Sequence, residues 1–382
     1  MATSAPAGLF FFFSPVVSSS VPKVSPLFSP LHIRSPAQRH PQRCYLCSSP
    51  SSPTGRSSFD SSAHQSSSAP QGSAFDLRSY WSAVISQIDA ELDVAVPVRY
   101  PLRIHEAMRY SVLAPGAKRA PPVMCLAVAC ELLGAPRAAA LPTACALEMV
   151  HTASLVHDDL PCMDAAQLRR GRPTSHTVFG VDMAVLAGDA LFPLGFRHIV
   201  SHTPPELVPE ERVLRVVEEI ARAVGSGGMA AGQFLDLEST GTADGDVMTV
   251  LEKKFGEMAE CSAVCGGLVG GAGAADLGSL RRYGRAVGVL YQVVDDILME
   301  DGNGSGGDGK MGSKASVVRV HGMGRAMAIA EELREQAKRE LRALEGNYGI
   351  ERLLPLHSFV DYAVERSFDA ATTGSSGSGP TS

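Results

Sequence analysis

The stretch HTASLVHDDLPCMDAAQLRR, residues 151–170, holds the residue types that handle phosphate and hard cations. His151 and Asp158 stand seven residues apart, which on a helix leaves them about 20° off one face. Asp158 and Asp159 adjoin on an otherwise apolar segment, where neighbouring carboxylates repel and call for compensating cations. Asp164 lies six residues past Asp158, about 240° round a regular helix. Pro161 between them favours a bulge that would return Asp164 to the Asp158 side. Arg169 and Arg170 follow, bidentate donors suited to phosphate oxygens. A second acidic pair stands in VLYQVVDDILME, residues 289–300, where Gln292, Asp295 and Asp296 share a helix face at i, i+3, i+4. Mg2+ takes a few carboxylates plus substrate phosphates, so two such clusters point to a Mg2+–diphosphate site. The plainer alternative is two solvated helix ends.

Helices must position these clusters. Val84, Ile88 and Leu92 recur at four-residue spacing, and Val213, Val216, Val217 and Ile220 at three and four. Alternating β-branched runs are missing, so no sheet is expected. Pro97, Pro101, Pro136, Pro142, Pro204, Pro209 and Pro355 are read as helix punctuation, and residues 301–309, DGNGSGGDG, as a flexible loop. No linker-like break divides residues 75–370, which reads as one large helical domain, and residues 371–382 form a Gly/Ser tail. With 45% hydrophobic and 19% charged residues among 382, the chain as a whole is not disordered.

Residues 1–74 differ from the rest, with 20 Ser, five Lys or Arg and one acid. That is the composition of an organellar transit peptide, and the lack of an amphipathic Arg helix favours the plastid. The remainder carries 29 basic and 39 acidic residues, a poor match for nucleic acid. Glu131 and Glu148 interrupt the best apolar runs short of the roughly 18 residues of a membrane span, so none is expected. Cys44-x2-Cys47 has zinc-ligand spacing without a second pair, and reads as two incidental thiols. The six later cysteines sit in apolar stretches as small buried hydrophobes.

Residues 158–164 resemble the first aspartate-rich motif, DDxxxxD, of plant geranylgeranyl diphosphate synthases in the trans-isoprenyl diphosphate synthase family. Asp295-Asp296 resembles the second motif. PLRIHEAMRYSVLA at 101–114, LAGDALF at 186–192 and AGQFLDL at 231–237 extend the likeness over most of residues 75–366. The resemblance implies an all-α fold, a single helical-bundle domain of the isoprenoid synthase type with a deep central cavity. It implies dimerisation and head-to-tail condensation of isopentenyl diphosphate with an allylic diphosphate, with Mg2+ helping the diphosphate leave. By the same likeness Asp158 and Asp164 bind Mg2+, while Arg169, Lys254, Gln292 and Asp295 serve the allylic diphosphate. Lys118, His151 and Arg170 hold isopentenyl diphosphate.

Departures from the family pattern shape the functional expectation. GGKRxRP reads within PGAKRAPP, residues 115–122, so Pro121 replaces an arginine and removes its charge and donors. DDxxD reads DDILM, with Met299 where a carboxylate is expected and Glu300 about 100° further round. The family's Lys-Thr is Lys254-Phe255, Asn-Asp-Asp is Ala165-Ala166-Gln167, and the lysine-rich flap is shortened at residues 309–314. Each lost diphosphate or metal contact costs roughly 10²-fold in rate. The expectation is therefore a small regulatory subunit of a plastidial heterodimeric geranylgeranyl diphosphate synthase, weakly active or inactive alone and tuning a catalytic partner subunit. A self-sufficient homodimeric synthase is the alternative, favoured by the intact Asp158 and Asp164. A class I terpene cyclase would need an Asn/Ser/Glu-type second metal motif, which is not seen. Small subunits of the family carry CxxxC motifs implicated in pairing. Cys261 and Cys265 match one and are assigned to the partner interface. Cys125-x4-Cys130 is one residue too long, placing its thiols about 140° apart on a regular helix.

Overall fold

The computed structural model describes residues 75–238, 246–300 and 316–366. The 1–74 leader with Cys44 and Cys47, the 301–309 loop, the 309–314 flap and the 371–382 tail lie outside the described residues. Helices α1 (Leu77–Ala95) and α2 (Leu102–Val112) open the fold. Asp76 caps α1 by accepting from the Ser79 amide (3.1 Å) and hydroxyl (2.6 Å), and Leu77, Trp81, Val84, Ile88 and Leu92 form its buried face. The four-residue spacing read from the sequence is thus the core face of α1.

Helix α3 (Ala120–Leu126) runs into a wider π-helical turn at Ala127–Leu132, followed by α4 (Arg137–Asp158). Helix α4 packs against α3 and α1 and is buried along most of its length. A short antiparallel ladder, β1 (Leu168–Arg169) with β2 (Arg172–Pro173), follows it, then α5 (Ser175–Phe179) and α6 (Val181–His202), which also packs on α4. Helix α7 (Glu210–Val224) turns Val216 and Ile220 inward and carries Glu210 and Glu211 in its first turn, where the helix dipole favours acids. Then come α8 (Met229–Glu238) and α9 (Asp246–Leu251), a second π-helical turn at Glu252–Gly256, and α10 (Glu257–Gly270). Helix α11 (Ala274–Glu300) lies against α10, and α12 (Val317–His321), α13 (Met323–Tyr348) and α14 (Ile350–Glu365) close the fold around it.

Two expectations are corrected. The β1–β2 ladder is a sheet of two residues a side, made by a tight turn and not by β-branched alternation. Pro142 and Pro355 sit inside α4 and α14, each at the sixth helical residue, and do not punctuate helix ends. Two 22-residue helices, α4 and α6, are long and apolar enough to cross a membrane, because mean hydropathy tolerates the isolated acids that break an unbroken run. In α4 most of that apolar surface is already covered by this chain's own core, whereas α6 leaves more of it outside.

Helices α10 and α11 approach closely. A Cβ at Gly284 would stand 2.6 Å from the Ala259 carbonyl oxygen, and one at Gly288 2.6 Å from that of Phe255. Glycine there lets α11 carry its acidic end past α10 at short range.

Candidate metal–diphosphate site

The first acidic cluster forms where α4 ends. Asp158 is its last residue, and the chain bulges through residues 159–165, with the Asp164 amide donating to the Asp158 carbonyl (2.9 Å) and that of Ala165 to Leu160 (3.0 Å). The Pro161 bulge therefore does return Asp164 to Asp158. Burial, together with the nearby Asp164 and Asp159, pushes the Asp158 carboxyl up to about 6 against the pull of Lys254 and Arg169. No hydrogen bond or ion pair engages the Asp158 carboxylate among the described residues, and Asp164 accepts only a long bond from Gln233 (3.3 Å).

Asp159 behaves differently. It turns inward, 3% exposed, and grips Arg169 bidentately through Nε (2.7 Å) and Nη2 (2.6 Å). Arg169 is thereby fixed beside Asp158, its charge held by Asp159. The β1–β2 turn fixes Arg170: Arg170 and Gly171 both take positive φ (54° and 71°), the signature of a two-residue hairpin turn. Tyr110, Thr152, Asp159, Arg169, Arg170 and Thr174 line a small pocket beneath this hairpin. Lys254 donates to the buried Asp236 (2.7 Å), an acid of the AGQFLDL stretch that holds the ammonium near Asp158. Phe255 points away, packing with Val250, Leu251 and Val289 in a second core, so its ring does not fill the site.

The second pair is arranged in the opposite sense. Asp296 spends one oxygen on Gln292 (2.9 Å) and the other on the Val317 amide that opens α12 (3.0 Å). Asp295 is ion-paired with Arg366 (2.9 Å). Gln292 is thus drawn back to its own helix, and Met299, 49% exposed, supplies no oxygen.

The residues assigned to isopentenyl diphosphate divide between two places. Lys118 donates to the Tyr291 hydroxyl (2.7 Å), and although burial opposes its charge, Tyr291 and Asp295 outweigh it and raise its pKa. His151 lies in α4 near Glu148 and Arg170, and burial pushes it down to about 4, helped by Arg170, Arg169 and Arg119. It is a neutral imidazole at physiological pH, and its Nδ1 is buried with no partner, as is Oε2 of Glu148 one turn away. Arg119, next to Lys118, faces inward with a φ of 51° to hold Glu148 (2.6 Å) and Asp89 (2.8 Å).

Cys261 and Cys265 do share a helix face, their sulfurs 3.8 Å apart, but both are fully buried inside this chain, with Cys265 against the Val216 carbonyl of α7. Neither sulfur reaches the surface, so any part the pair plays at a partner interface runs through the packing of α10. The π-helical turn also changes the reading of Cys125 and Cys130. Bonds such as Leu133 N to Val128 O (3.1 Å) span five residues, and the extra residue is absorbed there, leaving Cys130 close enough to bear on the Cys125 thiol. Cys162 is exposed, unlike the other described cysteines.

Sequence reasoning missed Asp236, Glu148, Tyr291 and Arg366. The first two carried the signal already used for Asp158, an acid in an apolar helical stretch; Tyr291 and Arg366 carried none. Two carboxylates, Asp158 with no bond and Asp164 with only the long one from Gln233, bordered by Arg169 and Lys254, fit a hard divalent cation completed by phosphate oxygens. No group of three or more His, Cys, Asp or Glu among the described residues could hold a metal without such help.

The polyprenyl synthetase family matches residues 102–341. The chain is 59% identical over 304 residues, 79% of its length and 88% of the relative's, to the chloroplastic heterodimeric geranylgeranyl pyrophosphate synthase small subunit of Arabidopsis thaliana. It is 44% identical over 305 residues, 77% and 80% of the two lengths, to large subunit 1 of that heterodimeric synthase. Among solved structures, the apo FPP/GFPP synthase of Zymomonas mobilis matches with a TM-score of 0.66 and 31% identity, over 75% of this chain and 98% of that one. The all-α fold is that of the isoprenyl diphosphate synthases, and this chain belongs to the polyprenyl synthetase family.

Proposed function

We propose that the chain is the small, regulatory subunit of a heterodimeric geranylgeranyl diphosphate synthase in the plastid. The observation that carries this reading is the asymmetry of its two acidic clusters. Asp158 and Asp164 stand open beside Arg169 and Lys254, whereas Asp295 and Asp296 are both occupied by the chain's own groups. Similarity to a relative named as a small subunit supports it, as do chloroplastic names among the relatives. Residues 1–74 then serve as the transit segment and 75–370 as the synthase-like domain.

Asp158 and Asp164 would hold Mg2+, whose charge, when bound, neutralises an allylic diphosphate. Around it Arg169 lies along the phosphates from its Asp159 clamp, and Lys254 is aimed from Asp236. His151 offers a neutral ring nitrogen and Arg170 a guanidinium to a second diphosphate, and the charge lost at Pro121 leaves that half weak. The partner surface we assign to the outer face of α6, where Leu186, Pro193 and Val200 recur every seven residues and are exposed, with the charges of Asp189 and Arg197 between them.

Steady-state condensation of isopentenyl and allylic diphosphates by the purified chain, alone and mixed with a catalytic synthase, tests the proposal. Alone it should turn over at least 10²-fold below the pair. Equal turnover would favour the homodimeric synthase, the reading for which the open Asp158 and Asp164 speak.

A further inference from the structure

Helix α14 ends at Arg366, whose left-handed backbone (φ 48°) lets its amide bond the Tyr362 carbonyl (3.0 Å) while its side chain turns back onto α11. There the guanidinium lies 3.4 Å from the centre of the Tyr291 ring, donates to the Tyr291 carbonyl (2.6 Å) and pairs with Asp295 (2.9 Å). The arrangement is anchored from behind. Trp81 packs edge-on to Phe359 and Tyr362 of α14 and donates to the Lys118 carbonyl (2.8 Å), while Lys118 holds the hydroxyl of the same Tyr291. The grip is nonetheless incomplete, since Nε and Nη1 of Arg366 are buried without hydrogen-bond partners. Two buried nitrogens without partners carry an uncompensated desolvation cost that withdrawal of the guanidinium would relieve.

We propose that Arg366 is a built-in counter-cation that closes the second acidic pair. While it sits on Oδ1 of Asp295, and Asp296 is committed to Gln292 and the start of α12, that pair offers a divalent cation only a carboxylate whose charge a guanidinium already balances. Withdrawal of Arg366 opens Asp295 and creates a second cation subsite facing a bound diphosphate. The inference rests on the reading of these acids as one half of a metal–diphosphate site, but it concerns binding alone and needs neither turnover nor a partner subunit.

The test is Mn2+ binding to the full chain, followed by electron paramagnetic resonance with and without inorganic pyrophosphate. Arg366→Gln should bind Mn2+ with pyrophosphate roughly tenfold more tightly, the worth of one charge-assisted pair, and adding Asp295→Asn should erase the gain. Unchanged or weaker binding by Arg366→Gln would overturn the proposal and make Arg366 a cap or a diphosphate ligand. Should Arg366→Gln fail to fold, Asp295→Asn alone decides the matter. With Arg366 in place it should leave Mn2+ affinity unchanged, and a loss of affinity would show Asp295 already open. Weak binding at Asp158 and Asp164 would count against the functional reading and not against this one, because Asp158→Asn should depress Mn2+ binding whatever Arg366 does.

Discussion

Asp158 pays a penalty for its place in the fold. Its carboxyl, ordinarily near 3.8, rises to about 6 because burial and neighbouring acids disfavour the anion. A raised folded-state pKa means that the group's contribution to stability is complete below about 4 and is lost as pH rises through about 6. Asp158→Asn should therefore stabilise the cation-free chain by about 1–2 kcal/mol at pH 8, after allowance for partial exposure. Denaturant midpoints measured from pH 4 to 8 in the presence of a chelator should show that advantage vanish at the acid end. His151 acts with the opposite sign: pushed down to about 4, it stabilises above about 6.5 and loses this as pH falls through 4. A stability difference for Asp158→Asn that did not vary with pH would refute the account. At this scale the sequence exposed Asp158, because a charge within an apolar helical run is visible as a pattern, and Asp164 through the bulge at Pro161, while Lys254 came only from the family likeness. It did not expose the Asp159 clamp on Arg169 or the Arg366 contact, which depend on how a bulge and a chain end fold back.

Helix existence was legible in the same way, from three- and four-residue spacing in α1 and α7, while helix irregularity was not. The turns at Ala127–Leu132 and Glu252–Gly256 are π-helical, and nothing in their side-chain pattern separates them from ordinary turns. The angle stated for Cys125 and Cys130 held only for a regular helix, a condition the π-helical turn removes. Two element-level outcomes follow from close packing. Gly284→Ala would drive a methyl against the Ala259 carbonyl, so α10 and α11 must part; a loss of about 1–3 kcal/mol in a denaturation curve is expected. Cys261→Ser with Cys265→Ser places hydroxyls where thiols pack between α10 and α7, at a cost of about 1–3 kcal/mol each in stability. Their effect on pairing should track that loss. If pairing collapses while the melting temperature stays put, the thiols act on the partner more directly than their burial allows.

For the molecule as a whole, the largest buried charge network and the seven-residue row of exposed apolar side chains on α6 lie on different helices. Glu219, Glu257 and Glu260 meet Arg222, Arg281 and Arg285 where α7, α10 and α11 join, a balanced network with its carboxylates buried and its guanidiniums half-exposed. Such a network ties α7, α10 and α11 together through charge. Helix α6 is the reverse: Gly188 and Gly195 let it lie close to α4, where added Cβ atoms would meet His157 and the Ala146 carbonyl, while Leu186 and Val200 remain 48% and 63% exposed. Leaving such side chains in water forgoes about 25 cal/mol per Å2 of apolar area, which association would recover. Leu186→Lys with Val200→Glu should thus weaken binding to a catalytic synthase by tenfold or more, about 1.4 kcal/mol, in a titration of the two purified chains. Neither residue supports the core, so the melting temperature of the lone chain should barely move. Unaltered affinity in a well-folded double variant would take the interface off α6 and onto another face of the bundle.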